Sequence, residues 1–184
     1  MIPFPYMDHN DHVYLLEPAN LPPGGTWADF GAGSGAFTLA LRELIGPQGV
    51  IYAVDKDRSR LNELERAYKL RFGKSNNLHI IASDFSRLLD VLMLDGLVMA
   101  NSLHYFKDKE KVLRHVQTFL KPKGTLLLVE YNVDKGNLWV PYPMSFDAWR
   151  GLASRVGFSE PRLLAKRSSS FLREFYSAVS YKNL

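Results

Sequence analysis

The stretch Ala28-Asp29-Phe30-Gly31-Ala32-Gly33-Ser34-Gly35 decides how the rest of the chain is read. An apolar run of strand length, Thr26 to Phe30, ends in three glycines, and a helix pattern follows from Ala36 to Leu44 until Gly46 and Pro47 stop it. In open α/β sheets such a turn lies at the carboxyl end of its strand, where ligands bind. Glycine there admits positive φ and lets backbone amides touch a ligand that side chains would obstruct. Asp29, two residues before the first glycine, is placed to orient the turn or to reach a ligand's ammonium group, directly or through water. A pyrophosphate would gain nothing from it. A second acid, Asp55, ends the next strand pattern about twenty residues on, the position from which a carboxylate accepts hydrogen bonds from ribose hydroxyls. Gly31-x-Gly33-x-x-Ala36 also satisfies the dinucleotide fingerprint, so the turn alone leaves both nucleoside classes open.

Working outward, apolar strand-length runs alternate with amphipathic helix-length runs, which predicts α/β with a parallel sheet. Val50 to Val54 is the second strand. Ser59 is the expected cap of a helix to about Phe72, with Leu61, Leu64 and Tyr68 on one face and Gly73 beyond its end. Leu78 to Ala82 is the third strand, a short helix is expected near Phe85 to Asp90, and Leu94 to Ala100 is the fourth strand, apolar throughout as a strand buried on both faces should be. A helix over about Lys109 to Leu120 stops before the turn Lys121-Pro122-Lys123-Gly124. Thr125 to Tyr131 is the fifth strand, and Phe146 to Val156 is a helix capped by Ser145 and ended by Gly157. Arg162 to Arg167 and Phe171 to Tyr181 close the chain as an antiparallel pair around a tight reversal at Ser168 to Ser170. This order departs from a dinucleotide domain, whose sixth strand is parallel.

The chain has 184 residues and 46% hydrophobic content, which suits one domain over residues 1–184, with residues 1–25 as a short amino-terminal cover. Cysteine is absent, which removes disulfides, thiolate metal sites and a cysteine nucleophile. Met1 to Tyr6 holds two prolines and no charge, and no apolar run approaches the ~20 residues of a membrane span, so a soluble cytoplasmic protein is expected. The net charge of +4 lies wholly in residues 145–184, where Arg150, Arg155, Arg162, Lys166, Arg167, Arg173 and Lys182 face Asp147, Glu160 and Glu174. That excess reads either as a solvated rim or as a surface for an anionic acceptor or RNA. His9 and His12 are three apart, but Asp8 and Asp11 beside them fit a solvated segment, and no metal is expected.

Several segments, taken in order, resemble the class I S-adenosylmethionine-dependent methyltransferases, in particular small members akin to the ubiquinone/menaquinone-biosynthesis C-methyltransferases. Leu21-Pro22-Pro23-Gly24-Gly25 followed by Trp27 to Gly35 is similar to that group's entry and first motif, and Val50 to Asp55 to its second. Ser83-Asp84-Phe85, Asn101-Ser102-Leu103-His104-Tyr105 and Phe119-Leu120-Lys121-Pro122-Lys123-Gly124-Thr125-Leu126 match later segments, with Lys123 where glycine is usual. The resemblance covers about residues 21–158 and implies a Rossmann-like fold with a mostly parallel seven-stranded sheet, an antiparallel last strand and helices on both faces.

It further implies S-adenosyl-L-methionine as cofactor, S-adenosyl-L-homocysteine as product and a small-molecule acceptor, with RNA or an NAD(P)-binding oxidoreductase-like reading as alternatives; nothing in the sequence specifies an oligomeric state. The implied donor-binding set is Asp29, Gly31, Ala32, Gly33, Gly35, Asp55, Lys56, Asp84, Phe85 and Asn101. Asp84 either meets the adenine amino group or caps the short helix, Phe85 either stacks on adenine or is a core aromatic, and Asn101 either offers its carbonyl to the methionine ammonium or is a turn residue. His104, Tyr105 and Tyr131 lie where such an enzyme meets its acceptor. A histidine there can accept a proton near neutral pH; the other reading is a partly exposed histidine beside a core aromatic. Trp139, Tyr142 and Met144 stand in the long connection after the fifth strand, as an acceptor wall or as packing.

Overall fold

A computed structural model of the chain describes residues 7–74, 76–91, 93–169 and 171–184. Seven strands, β1 (Thr26–Phe30), β2 (Val50–Asp55), β3 (Leu78–Ala82), β4 (Leu94–Ala100), β5 (Leu120–Tyr131), β6 (Arg162–Ser168) and β7 (Glu174–Tyr181), form one sheet in the order β3-β2-β1-β4-β5-β7-β6. β1 pairs in parallel with β2 on one side and β4 on the other, so strand order reverses at β1 and opens a crevice beyond its carboxyl end. β7 runs antiparallel to both β5 and β6, as the sequence predicts.

The alternation of side chains across the pleat divides the core between two faces. Ala28, Phe30, Leu97, Met99 and Leu128 pack on one side beneath α4 (Lys109–Gln117) and α5 (Phe146–Ala153). Trp27, Val98, Leu127 and Val129 pack on the other beneath α1 (His9–Leu16), α2 (Ala36–Ile45) and α3 (Arg58–Phe72). Gly96 of β4 leaves the space that Trp27 fills, and a Cβ there would lie 2.1 Å from the Trp27 ring. Gly96→Ala is therefore expected to destabilise the fold by about 2 kcal/mol through overpacking, read as a lower midpoint in urea; an unchanged midpoint would show that the indole can move aside.

Several boundaries differ from expectation. The cap of α3 is Asp57, whose carboxylate accepts from Ser59 N–H and Arg60 N–H, so Ser59 lies inside the helix. No helix forms over residues 85–90. Instead Asp84 accepts from Ser86 N–H through its side chain and from Arg87 N–H through its carbonyl, closing a turn; Phe85 and Leu89 pack on the core while Leu88 is 90% exposed. α4 ends at Gln117 because Leu120 already pairs with Leu94, and Lys121 to Gly124 is a shifted stretch inside β5, with Lys123 at φ 62° and its N–H on Lys182 O. β7 begins at Glu174, later than Phe171; of the expected reversal, Ser170 lies outside the described residues.

The amino-terminal segment is more than a thin cover. Asp8 and Asp11 cap α1 reciprocally, Leu15 and Leu16 are buried, and Asp11 accepts an ion pair from Arg167 of β6 at 2.8 Å. Met1 to Tyr6 lie outside the described residues. Among the described residues no helix is long and apolar enough to cross a membrane.

Candidate active site

Two adjoining cavities of about 370 and 460 Å³ open over the carboxyl ends of β1, β2 and β4, and share Gly31, Arg60, Asn101 and Tyr105 as walls. The first also meets Asp29, Ala32, Gly33, His104 and Tyr131; the second meets Asp55, Lys56, Asp84 and Phe85. Of the expected donor set, Gly35 alone lines neither cavity. It is the cap of α2 at φ 96°, and a Cβ there would lie 2.5 Å from Leu64 Cγ, so it serves the packing of α2 on α3.

The turn itself is built by backbone. Gly31 N–H and Ala32 N–H both donate to Val54 O, and at Gly31, with φ 86°, a Cβ would sit 2.4 Å from Ser102 Cβ. Asp55 Oδ2 accepts from Gly33 N–H at 2.8 Å and Oδ1 from Asp57 N–H at 2.9 Å, so this carboxylate holds the loop. Each of its oxygens keeps a lone pair for a further donor. Asp29 is buried under the turn at the floor of the first cavity, with Thr38 Oγ1 donating to it at 2.6 Å; burial pushes its carboxyl up to about 7, with the charge of Asp55 adding to the effect.

Asn101 adopts φ 52° with its N–H donating to Val129 O, while its Oδ1 and the Ser102 Oγ are buried without partners among the described residues. Orphaned polar atoms in a cleft wall are costly unless a ligand or water meets them. Phe85 packs as a core aromatic, stacked on Phe30 at 5.5 Å and tilted against Phe106, with an edge on the second cavity. Arg60, which the sequence did not single out, stands close to Gly33 with no carboxylate within ion-pair distance among the described residues.

At the far end of the first cavity the exposure of the paired aromatics is reversed from one sequence reading: His104 is 2% exposed and Tyr105 is 62% exposed. The 3₁₀ turn Leu103–Tyr105 after β4 brings His104 against Glu130, the last but one residue of β5, whose two carboxylate oxygens lie 3.1 and 3.0 Å from His104 Nδ1. Glu130 is fully buried. Sequence reasoning missed it, though a lone acid closing Leu126-Leu127-Leu128-Val129 was the available signal. Burial, Glu130 and Tyr105 push the Tyr131 hydroxyl up to about 12, so Tyr131 is a proton donor and not a base at neutral pH.

The connection after β5 is strapped over this end. Tyr142 N–H donates to His104 O, and Lys109 Nζ donates to both Phe106 O and Tyr142 O. Asn137 Oδ1 accepts from Trp139 N–H and Val140 N–H, setting Trp139 at the cavity wall, whereas Met144 packs in the core. His9 turns to Glu43 and His12 packs on Phe37, so the two histidines face different partners. The basic tail is largely engaged: Arg150, Arg155, Lys166 and Arg167 are ion-paired, and Lys182 donates to Leu120 O.

Residues 28–126, more than half of the chain, match the family model described as a methyltransferase domain. The chain is 26% identical over 120 residues to the ubiquinone/menaquinone biosynthesis C-methyltransferase UbiE of Hahella chejuensis, covering 65% of this chain and 48% of that protein. It is 28% identical to the UbiE of Pseudomonas fluorescens, with 65% and 46% covered. The chain thus spans about half the length of these curated relatives. Among solved structures, the YcgJ protein of Bacillus subtilis superposes with a TM-score of 0.77 at 13% identity, over 96% of this chain and 100% of that one. Magnesium protoporphyrin IX methyltransferase of Synechocystis, solved with bound SAM, gives 0.68 at 14% identity, over 95% and 77%.

Proposed function

The chain belongs to the methyltransferase-domain family, and from that premise we propose that it transfers a methyl group from S-adenosylmethionine to a small-molecule acceptor bound against His104, Tyr105 and Tyr131. The observation that carries this reading is the bare turn Gly31 to Gly33, which with Asp55 and Asn101 walls the two adjoining cavities over the strand tips and leaves room for a nucleoside and its amino-acid tail. Asp55 and Lys56 take the ribose side, the turn of Asp84 and the edge of Phe85 take the base, and Asp29 with Asn101 takes the ammonium. When bound, the donor supplies an electrophilic methyl group on a sulfonium. The protein's part is to hold the acceptor in line and keep water out, which is worth up to roughly 7 to 11 kcal/mol in well-oriented systems.

Two observations count against the alternatives. The antiparallel β7 departs from the parallel sixth strand of a dinucleotide domain, and Arg155 and Arg167 of the basic tail are paired with Glu110 and Asp11 of the rest of the chain. Calorimetry is expected to detect S-adenosylhomocysteine binding and none for NADH. The opposite result would sink the proposal. Labelled methyl transfer into a metabolite extract freed of RNA would then report the acceptor.

A further inference from the structure

We propose that Glu130 and His104 form a buried base unit which confines this site to acceptors bearing a weakly acidic O–H or C–H, an inference that rests on reading the cleft as a methyl-transfer site. His104 Nε2 takes the acceptor's proton, and Glu130 is the positioning residue behind it.

The pair is an expensive thing to bury. Removing two ionisable groups from water costs several kcal/mol, and an apolar residue would serve the end of β5 at least as well for stability. Glu130 is nonetheless fully enclosed, and among the described residues every side-chain hydrogen bond it makes serves the histidine segment or its own strand: both oxygens on His104 Nδ1, Oε1 accepting from His104 N–H at 3.2 Å, and Oε2 accepting from Tyr131 N–H at 3.3 Å. An ionised carboxylate only accepts, so Nδ1 is the donor of this contact, and in the neutral ring Nε2 is then the nitrogen that carries the lone pair. Nε2 has no partner among the described residues and is not one of their sealed, unpartnered atoms, while His104 walls the first cavity; the basic nitrogen is open to the acceptor.

Charge then selects the acceptor. A lone histidine gaining a proton beside a sulfonium would place two cations together; with Glu130 behind it, the pair ends neutral. An acceptor already anionic would need no base and would meet Glu130 as a like charge. A neutral amine attacks through its own lone pair before any proton leaves. A neutral acceptor with an O–H or C–H of modest acidity is the case that uses the arrangement. In the step, its proton goes to Nε2, its freed electron pair forms the bond to the methyl carbon, and sulfur keeps the pair of the breaking S–C bond. The proton later leaves the imidazolium to water.

Two readouts test this, one of them without turnover. In the protein with no acceptor, proton NMR is expected to show a strongly downfield His104 Nδ1–H that disappears in Glu130→Gln. With labelled donor, the parent is expected to methylate at least one of a set of phenols and 1,3-dicarbonyl compounds in preference to primary amines and thiols. Glu130→Gln should lower kcat on that compound by about 100-fold with S-adenosylhomocysteine affinity held within twofold, and Glu130→Asp should recover part of the loss. If Glu130→Gln does not fold, the parent's NMR signal and acceptor preference still decide. Absence of that signal, preference for amines or thiols, methylation of no phenol or dicarbonyl, or kcat within threefold in Glu130→Gln would each overturn the inference. A parent that does not bind S-adenosylhomocysteine would instead overturn the methyl-transfer reading itself.

Discussion

Replacing Asp29 with asparagine is expected to give a protein that is firmer than the parent above pH 7 and has lost most of its hold on the donor. The carboxyl is fully enclosed and burial raises it from 3.8 to about 7. A group with a raised folded value binds its proton more tightly in the native state. Its contribution is therefore best at low pH, declines as pH climbs from about 4 to about 7, and is flat above. That difference corresponds to about 4 kcal/mol of native-state cost at pH 8. Asparagine removes the ionisation and still accepts from Thr38, so a gain of about 2 kcal/mol at pH 8 that shrinks toward pH 5 is expected in urea denaturation. The ammonium of the donor would lose a charge-assisted hydrogen bond, a 10- to 100-fold loss by the usual magnitude of about 1.5–3 kcal/mol. In the parent, affinity for S-adenosylhomocysteine should rise with pH by that same 10- to 100-fold in all and level off above about 7. A variant whose calorimetric affinity and pH profile match the parent's would place the ammonium elsewhere.

The second large effect is expected at Gly31→Ala. Two penalties combine there. A φ of 86° costs an L side chain about 1–2 kcal/mol, and the new methyl would meet Ser102 Cβ at 2.4 Å, forcing the ends of β1 and β4 apart. A loss of about 3 kcal/mol in stability and of more than about 30-fold in S-adenosylhomocysteine affinity should follow, since the strands that part are those that carry the cleft. Ser102→Gly in the same chain should return the share due to the clash and leave the share due to φ. If the double variant is no better than Gly31→Ala alone, the contact with Ser102 is not what the glycine avoids.

The elements that can be read from local pattern were legible before any coordinates. The order of strands, the glycine turn, Asp29 and Asp55 as its flanking acids, and the caps at Ser145, Gly73 and Gly157 all follow from spacing and residue type. What escaped depends on partners distant in the chain. Lys121 to Gly124 reads as a turn, yet Leu94 and Lys182 draw it into the sheet. Asp57 and Ser59 are both good caps, and the difference between them is a single carboxylate reaching two amides. Gly35 looks like a third ligand glycine, and its reason is Leu64 of the next helix. Glu130 and His104 are 26 residues apart and meet because β4 and β5 are neighbours.

Three of the residues proposed to hold the donor, Gly31, Asp55 and Asn101, stand at or just past the tips of adjacent strands, so their separation is fixed by the ~4.8 Å repeat of the ladder. The proposed acceptor wall shares that ruler only at Tyr131 of β5. Beyond Tyr131 it is completed by Trp139 and Val140 of the strap over residues 132–145, moored to the 3₁₀ turn and α4 through Tyr142 and Lys109. On the proposed reading, substitutions in the strap would reshape the acceptor side while the strand tips that hold the donor stay where the ladder sets them.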